Sequence, residues 1–177
     1  MTNLLSKTVL IIGLLSLSSW NVSAQGTKIA IANFTAGGKG VMGKVKFVEQ
    51  DKGAEIIGQI QGLPVGEHGL HVHEIGSLDD NCNAAGGHFN PLKMNHGAPS
   101  DSERHIGDLG NIVADSSGKA TFNLNDPLIE LEGPNSIIGR ALVIHEGRDD
   151  LGQGGVPASL KNGDAKGRIA CGIISLQ

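Results

Sequence analysis

Turn-forming residues interrupt this sequence so often that an ordinary helix has little room to form. Gly occurs 27 times in 177 residues, and between the Gly-marked turns lie short β-rich runs: Lys28–Phe34, Val41–Val48, Ala54–Gln61, Gly69–His73, Gly110–Ala114, Lys119–Leu124, Arg140–His145 and Arg168–Ser175. Alternation is visible in Ile29-Ala30-Ile31 and Val45-Lys46-Phe47-Val48, where a period of two turns one face inward. No segment of helical length sustains a 3.6-residue repeat with caps. Asp51-Lys52-Gly53, Ser116-Ser117-Gly118 and Gly133-Pro134-Asn135 are turn clusters, since Gly, Asn and Asp tolerate positive φ and Pro presets a turn. Strands joined so tightly pair antiparallel. The sequence therefore predicts an all-β domain of eight strands.

Residues 1–24 read as a removable secretory signal: a single charge at Lys7, an apolar Val9–Leu17 core and a Val22-Ser23-Ala24 cleavage pattern. The apolar core is far short of the roughly 20 residues that span a bilayer, so the expectation is an exported chain, periplasmic or extracellular, with no membrane span. From Gln25 onward, residues 25–177 suit one domain with a core of its own. Tyr is absent and the one Trp, Trp20, falls within the signal, so Val, Ile, Leu and Ala must build that core. Loss of Lys7 leaves 14 − 1 = 13 basic against 18 acidic residues, a balance that argues against nucleic-acid binding. Two cysteines in an exported chain, Cys82 and Cys171, suggest one disulfide closing 171 − 82 = 89 residues.

Two connections break the pattern of tight turns, one from about Glu74 to Asp108 and the other from about Glu146 to Gly167. Loops longer than about 12–15 residues without regular structure are uncommon in a compact domain unless they carry function. The first contains most of a histidine cluster: of seven His in the chain, five lie between His71 and His105. His71 and His73 occupy i and i+2 of a strand, so both imidazoles project from one face and can converge on one ion. His145, at the end of another run, can join them. His88, His96, His105 and Asp108, separated by 8, 9 and 3 residues, offer three imidazoles and a carboxylate, a closed tetrahedral shell typical of Zn²⁺. An all-imidazole tetragonal set suits Cu²⁺ better. The residues by themselves leave both metals open.

Gly69-Leu70-His71-Val72-His73-Glu74, Gly87-His88-Phe89-Asn90-Pro91, Arg104-His105-Ile106-Gly107-Asp108-Leu109-Gly110-Asn111 and Arg168-Ile169-Ala170-Cys171-Gly172 together resemble the copper/zinc superoxide dismutase family, in order and in spacing. The resemblance implies an eight-stranded antiparallel Greek-key β-barrel or sandwich, with two long functional loops on one side. It also implies an oxidoreductase that dismutates superoxide, using one copper and one zinc per chain. Copper would be held by His71, His73, His88 and His145, and zinc by His88, His96, His105 and Asp108, with the shared His88 imidazole bonded to both ions.

By the same resemblance Asp149 would hydrogen-bond one ligand His from each metal site, while the neighbouring Asp150 is read as a solvated turn acid. Arg168, three residues before Cys171, would attract and orient superoxide beside the copper, and Lys161 would guide it electrostatically. His68 matches no ligand position and is expected to tie loops by hydrogen bonds. Pro157-Ala158 stand where vertebrate cytosolic members tend to carry acidic residues. The loop lengths resemble those of dimeric members and imply a homodimer. A noncatalytic metal-binding or copper-delivery module on the same fold is the alternative, although such relatives typically lose copper ligands or the guiding Arg, all of which this chain has.

Overall fold

The computed structural model describes residues 26–35 and 40–177; the expected signal segment lies outside them. All eight expected strands are present: β1 (Ile29–Phe34), β2 (Met42–Glu49), β3 (Ala54–Gln61), β4 (Gly66–His73), β5 (Asp108–Ala114), β6 (Lys119–Asp126), β7 (Ala141–His145) and β8 (Arg168–Leu176). They form one sheet in the order β5-β4-β7-β8-β1-β2-β3-β6, antiparallel at every pairing, and β5 packs against β6 so that the sheet nearly closes into a barrel.

Period-two alternation makes the core. In β3, Ala54, Ile56, Gly58 and Ile60 face inward while Gln59 and Gln61 face water, and Phe34, Phe47, Leu70, Ile112, Leu142 and Ile174 complete the interior. β4 and β7 depart from this alternation, with His71, Val72 and His73 all buried and every residue of β7 buried. Their outer face is covered by the two long connections. This places imidazoles in a second, polar interior outside the barrel wall. The pairing register shifts between Gly69 and His71 and again between Ile144 and His145; such irregularities re-aim side chains, and here each immediately precedes a histidine of that second interior.

The connections carry little regular structure: a 3₁₀ turn at Asn83–Ala85 in the first and a four-residue helix, α1 (Ser159–Asn162), in the second. The first is stitched to β4. Phe89 N–H donates to Val72 O at 2.8 Å, Gly107 N–H to Phe89 O at 3.0 Å and Val72 N–H to Gly107 O at 2.9 Å. A Cβ on Gly107 would stand 2.2 Å from Val72 O, so only glycine allows that approach. The Cys82–Cys171 disulfide is formed and ties the same connection to β8. Among the described residues no helix is long and apolar enough to cross a membrane.

Candidate metal centre

β4 supplies His71 and His73, β7 supplies His145, and the first connection supplies His88, His96 and His105. Donor atoms of His71, His73, His88 and His145 lie within 4.8 Å of one another, all buried. The outward nitrogen of three of these rings faces an oxygen. His71 Nε2–H donates to Asp149 Oδ2 at 2.8 Å, His73 Nδ1–H to Gly86 O at 3.0 Å, and His145 Nδ1 faces Lys166 O at 3.3 Å. Such contacts fix the tautomer. They leave His71 Nδ1, His73 Nε2 and His145 Nε2 as lone pairs, and the last two stand 3.3 Å apart.

The second set converges on one carboxylate oxygen. Asp108 Oδ1 is 2.8 Å from His88 Nδ1, 3.0 Å from His96 Nδ1 and 3.1 Å from His105 Nδ1, and His105 Nδ1 is 3.4 Å from His88 Nδ1. A tetrahedron with bonds of 2.0–2.1 Å has edges of about 3.3 Å, so these separations suit four ligands of one small ion. Asp108 is aimed by its other oxygen, Oδ2, which accepts the His105 N–H at 2.8 Å and the Gly97 N–H at 3.3 Å. Donor atoms of His71, His88, His96 and Asp108 also fall within 4.8 Å of one another, because the two sets adjoin.

Two ring nitrogens, His71 Nδ1 and His88 Nε2, are buried without a hydrogen-bond partner. Leaving a buried polar atom unsatisfied costs about 1–3 kcal/mol, and two in one cluster are explained by a cation between them. Burial pushes His71 and His73 well below the ordinary imidazole range, and takes His145 down to about 4. Burial likewise lowers His88, against the pull of Asp108. These rings are neutral and ready to ligate. His96 differs: burial pushes it down, but hydrogen bonds to Asp108 and Asp149 outweigh this and raise it to about 9, so an arriving ion must displace its proton. Burial opposes ionisation of Asp108 and Asp149, yet hydrogen bonds from the imidazoles hold both well below the usual carboxylate range. Neutral imidazoles at His71, His73, His88 and His145 beside an ionised Asp108 are donors that suit dications.

Asp149 spans the two sets, with Oδ2 on His71 and Oδ1 accepting His96 Nε2–H at 2.8 Å. Asn111 holds Asp149 in turn: its Nδ2 donates to Asp149 O at 2.9 Å and its Oδ1 accepts Asp149 N–H at 2.8 Å. That clamp escapes sequence reading, although Asn111 lies in a quoted motif. Asp150 departs from the solvated acid expected, since its Oδ1 accepts Gly152 N–H at 2.9 Å and Ser159 Oγ–H at 2.8 Å and so folds the turn leading to α1. His68 bridges Pro64 O and His145 O, each at 2.8 Å, as a tie between segments.

Arg168 donates Nη1 to Cys82 O and Asn83 O and Nη2 to Gly86 O. Gly86 O therefore receives both Arg168 and His73, fixing the guanidinium relative to the first histidine set. Gly86 has φ +74°, and a Cβ there would stand 2.6 Å from Glu74 Oε1, which is why glycine occupies it. Lys161, in α1, borders an open groove of about 450 Å³ together with His88 and His105. Arg104, only 2 % exposed, donates to His105 O at 3.2 Å and Asp108 O at 3.1 Å while pairing with Asp126 at 2.9 Å, anchoring the second set to β6.

The family profile of copper/zinc superoxide dismutase (SODC) matches residues 41–174. The chain belongs to the copper/zinc superoxide dismutase family. Superoxide dismutase [Cu-Zn] A of Xenopus laevis is 51 % identical to it over 140 residues, covering 78 % of this chain and 92 % of that protein. The two adjoining histidine sets offer imidazole and carboxylate donors of the kinds that copper and zinc bind.

Proposed function

We propose that the chain dismutates superoxide, 2 O₂⁻ + 2 H⁺ → O₂ + H₂O₂, with copper held by His71, His73, His88 and His145 and zinc by His88, His96, His105 and Asp108. The observation that carries this reading is the position of one ring: His88 Nδ1 lies 2.8 Å from Asp108 Oδ1, while its unpartnered Nε2 belongs to a ring grouped with His71, His73 and His145. His71 Nε2 is already engaged by Asp149 and His105 Nδ1 is 3.1 Å from Asp108 Oδ1, which favours His105 as the fourth zinc ligand. When bound, copper supplies an electron relay between Cu(II) and Cu(I), and zinc supplies a redox-silent charge that orders the loop.

The residues do the rest. Were metal ions bound on both sides, the His88 ring would be the shared ligand and would give up its ring protons, because a bound cation inverts ordinary pKa logic. His88 Nε2, unpartnered in the structure, would hold one proton and pass it to the reduced oxygen, and water would supply the second. Three carbonyl contacts occupy three of the five guanidinium N–H donors of Arg168, leaving two to receive a small anion. Formal charge is −4, so attraction of superoxide must be local, focused by the metals, Arg168 and Lys161.

Export to a periplasm or to extracellular space is part of the same proposal. It is supported by the signal-like residues 1–24 and by the disulfide, which persists in oxidising compartments; N-terminal sequencing of the mature protein should begin at Gln25. A homodimer is proposed from the family resemblance. The function is tested by metal analysis of the purified protein with a superoxide-decay assay. About one copper and one zinc per chain with catalytic decay is the expected result; copper-loaded protein that leaves superoxide decay unaccelerated refutes it.

A further inference from the structure

Two grooves flank the point where the connections touch, His96 N–H donating to Leu160 O at 2.9 Å. Asn95 and Leu160 border both. The groove of about 450 Å³ reaches His88 and His105 and has Lys161 but no carboxylate in its lining. The other, of about 480 Å³, reaches His96 and has Asp101 and Glu103 but no Lys or Arg. The single ridge thus separates a cationic approach to the centre from an anionic one. An acidic groove alone says little about a ligand, but this one adjoins a side chain that does: His96 is 2 % exposed, and its Nδ1 lies 3.0 Å from Asp108 Oδ1 within the four-ligand set.

We propose that the Asp101/Glu103 groove is the route by which a divalent cation reaches the His96 side of the tetrahedral site, separate from the Lys161 groove that admits anions. The inference rests on the zinc assignment made above. Carboxylates at the mouth raise the local concentration of a dication, and the absence of Lys or Arg leaves that field unopposed. The Lys161 groove repels the same ion. Metal loading and substrate approach then use opposite sides of one ridge, and each has the sign of charge its traveller needs.

The two carboxylates can lose their charge with little change of shape. Asp101 Oδ2 accepts Ala98 N–H at 3.0 Å, and Glu103 Oε1 accepts Asn95 Nδ2–H at 2.8 Å; the amide oxygens of Asn and Gln can accept the same bonds. Metal-free, disulfide-intact protein is mixed with Co²⁺, whose visible absorption reports tetrahedral coordination. The Asp101→Asn/Glu103→Gln variant should load about 5- to 10-fold more slowly than wild type at about 0.01 M ionic strength, with the difference fading as salt screens the charges. It should reach the same final stoichiometry. Lys161→Gln should load at least as fast as wild type, and Asp51→Asn/Glu130→Gln, which removes the same charge from a separate groove, should load at the wild-type rate. Equal rates for the groove variant and wild type, or equal slowing by the control pair, overturns the route. Failure of wild type to give a tetrahedral spectrum at one equivalent overturns the site assignment itself.

Discussion

Replacing Asp149 with Ala removes a carboxylate that hydrogen-bonds a ring in each histidine set. Its carboxylate is fully buried and accepts three hydrogen bonds, from His71 Nε2 and His96 Nε2 at 2.8 Å each and from Leu151 N–H at 2.7 Å. The two imidazole donors would be left in a site closed to water, at about 1–3 kcal/mol each. The cheapest relief is for each ring to move its proton to Nδ1 and turn, which consumes the lone pair a metal needs. Loss of an orienting partner of this kind costs about 10- to 100-fold in metal affinity, or about 1.4–2.7 kcal/mol per ion. Because one side chain serves a ring in each set, both affinities fall together. Competition titration against chelators, read by copper and zinc content, measures this directly. Asp150→Asn is the control, since Asp150 folds a turn and hydrogen-bonds none of the imidazoles. Asp149→Ala protein holding both metals at wild-type affinity would refute the reasoning.

Other expectations follow from the same geometry. Arg168→Gln should slow superoxide decay about tenfold with copper and zinc content unchanged; loss of metal would assign Arg168 a structural role instead. Cys82→Ser opens an 89-residue loop, worth at most about 4.6 kcal/mol in the chain-entropy model, so metal-free protein should show a clearly lower unfolding midpoint; an unchanged midpoint contradicts this. In metal-free protein His145 is lowered to about 4, and His71 and His73 lie below the ordinary range, whereas the unfolded chain protonates near 6.5. The unfolded state therefore binds more protons, and this contribution to stability, complete above about pH 6.5, is lost as pH falls toward 4. His96, raised to about 9, works oppositely, its contribution complete below about pH 6.5 and lost as pH rises through 9. Urea midpoints at neutral pH and near pH 4.5 should differ accordingly, and a flat profile on the acid side would contradict it.

The strands were legible because alternation and turn chemistry agree along most of the chain. β4 was legible only from Gly69. Its start, Gly66-Glu67-His68, lacks alternating apolar residues and is strand because Gly66 and Glu67 pair with Ala114 and Val113 of β5, a contact across 48 residues. Burial of both faces of β4 and β7 had no local signal either, since the cover comes from remote connections. Helix α1 is four residues long, shorter than the period that would reveal it. The ligand candidates were visible as residue types at strand and loop spacing. The groups that aim them were less so: the Asn111 amide clamps backbone 38 residues away, and Arg104 meets Asp126 across 22 residues. Such ties are set by the tertiary fold and leave no periodic trace.

Occupying both sites with Cu²⁺ offers the most direct measurement. If His88 joins them through its two ring nitrogens, the two unpaired electrons couple through the imidazolate, and the paramagnetic resonance of the isolated ions is replaced by that of an exchange-coupled pair. His88→Ala should then return separate signals from whatever copper remains. Two independent, full-intensity Cu²⁺ signals in the wild-type protein would mean that the ring does not connect the ions.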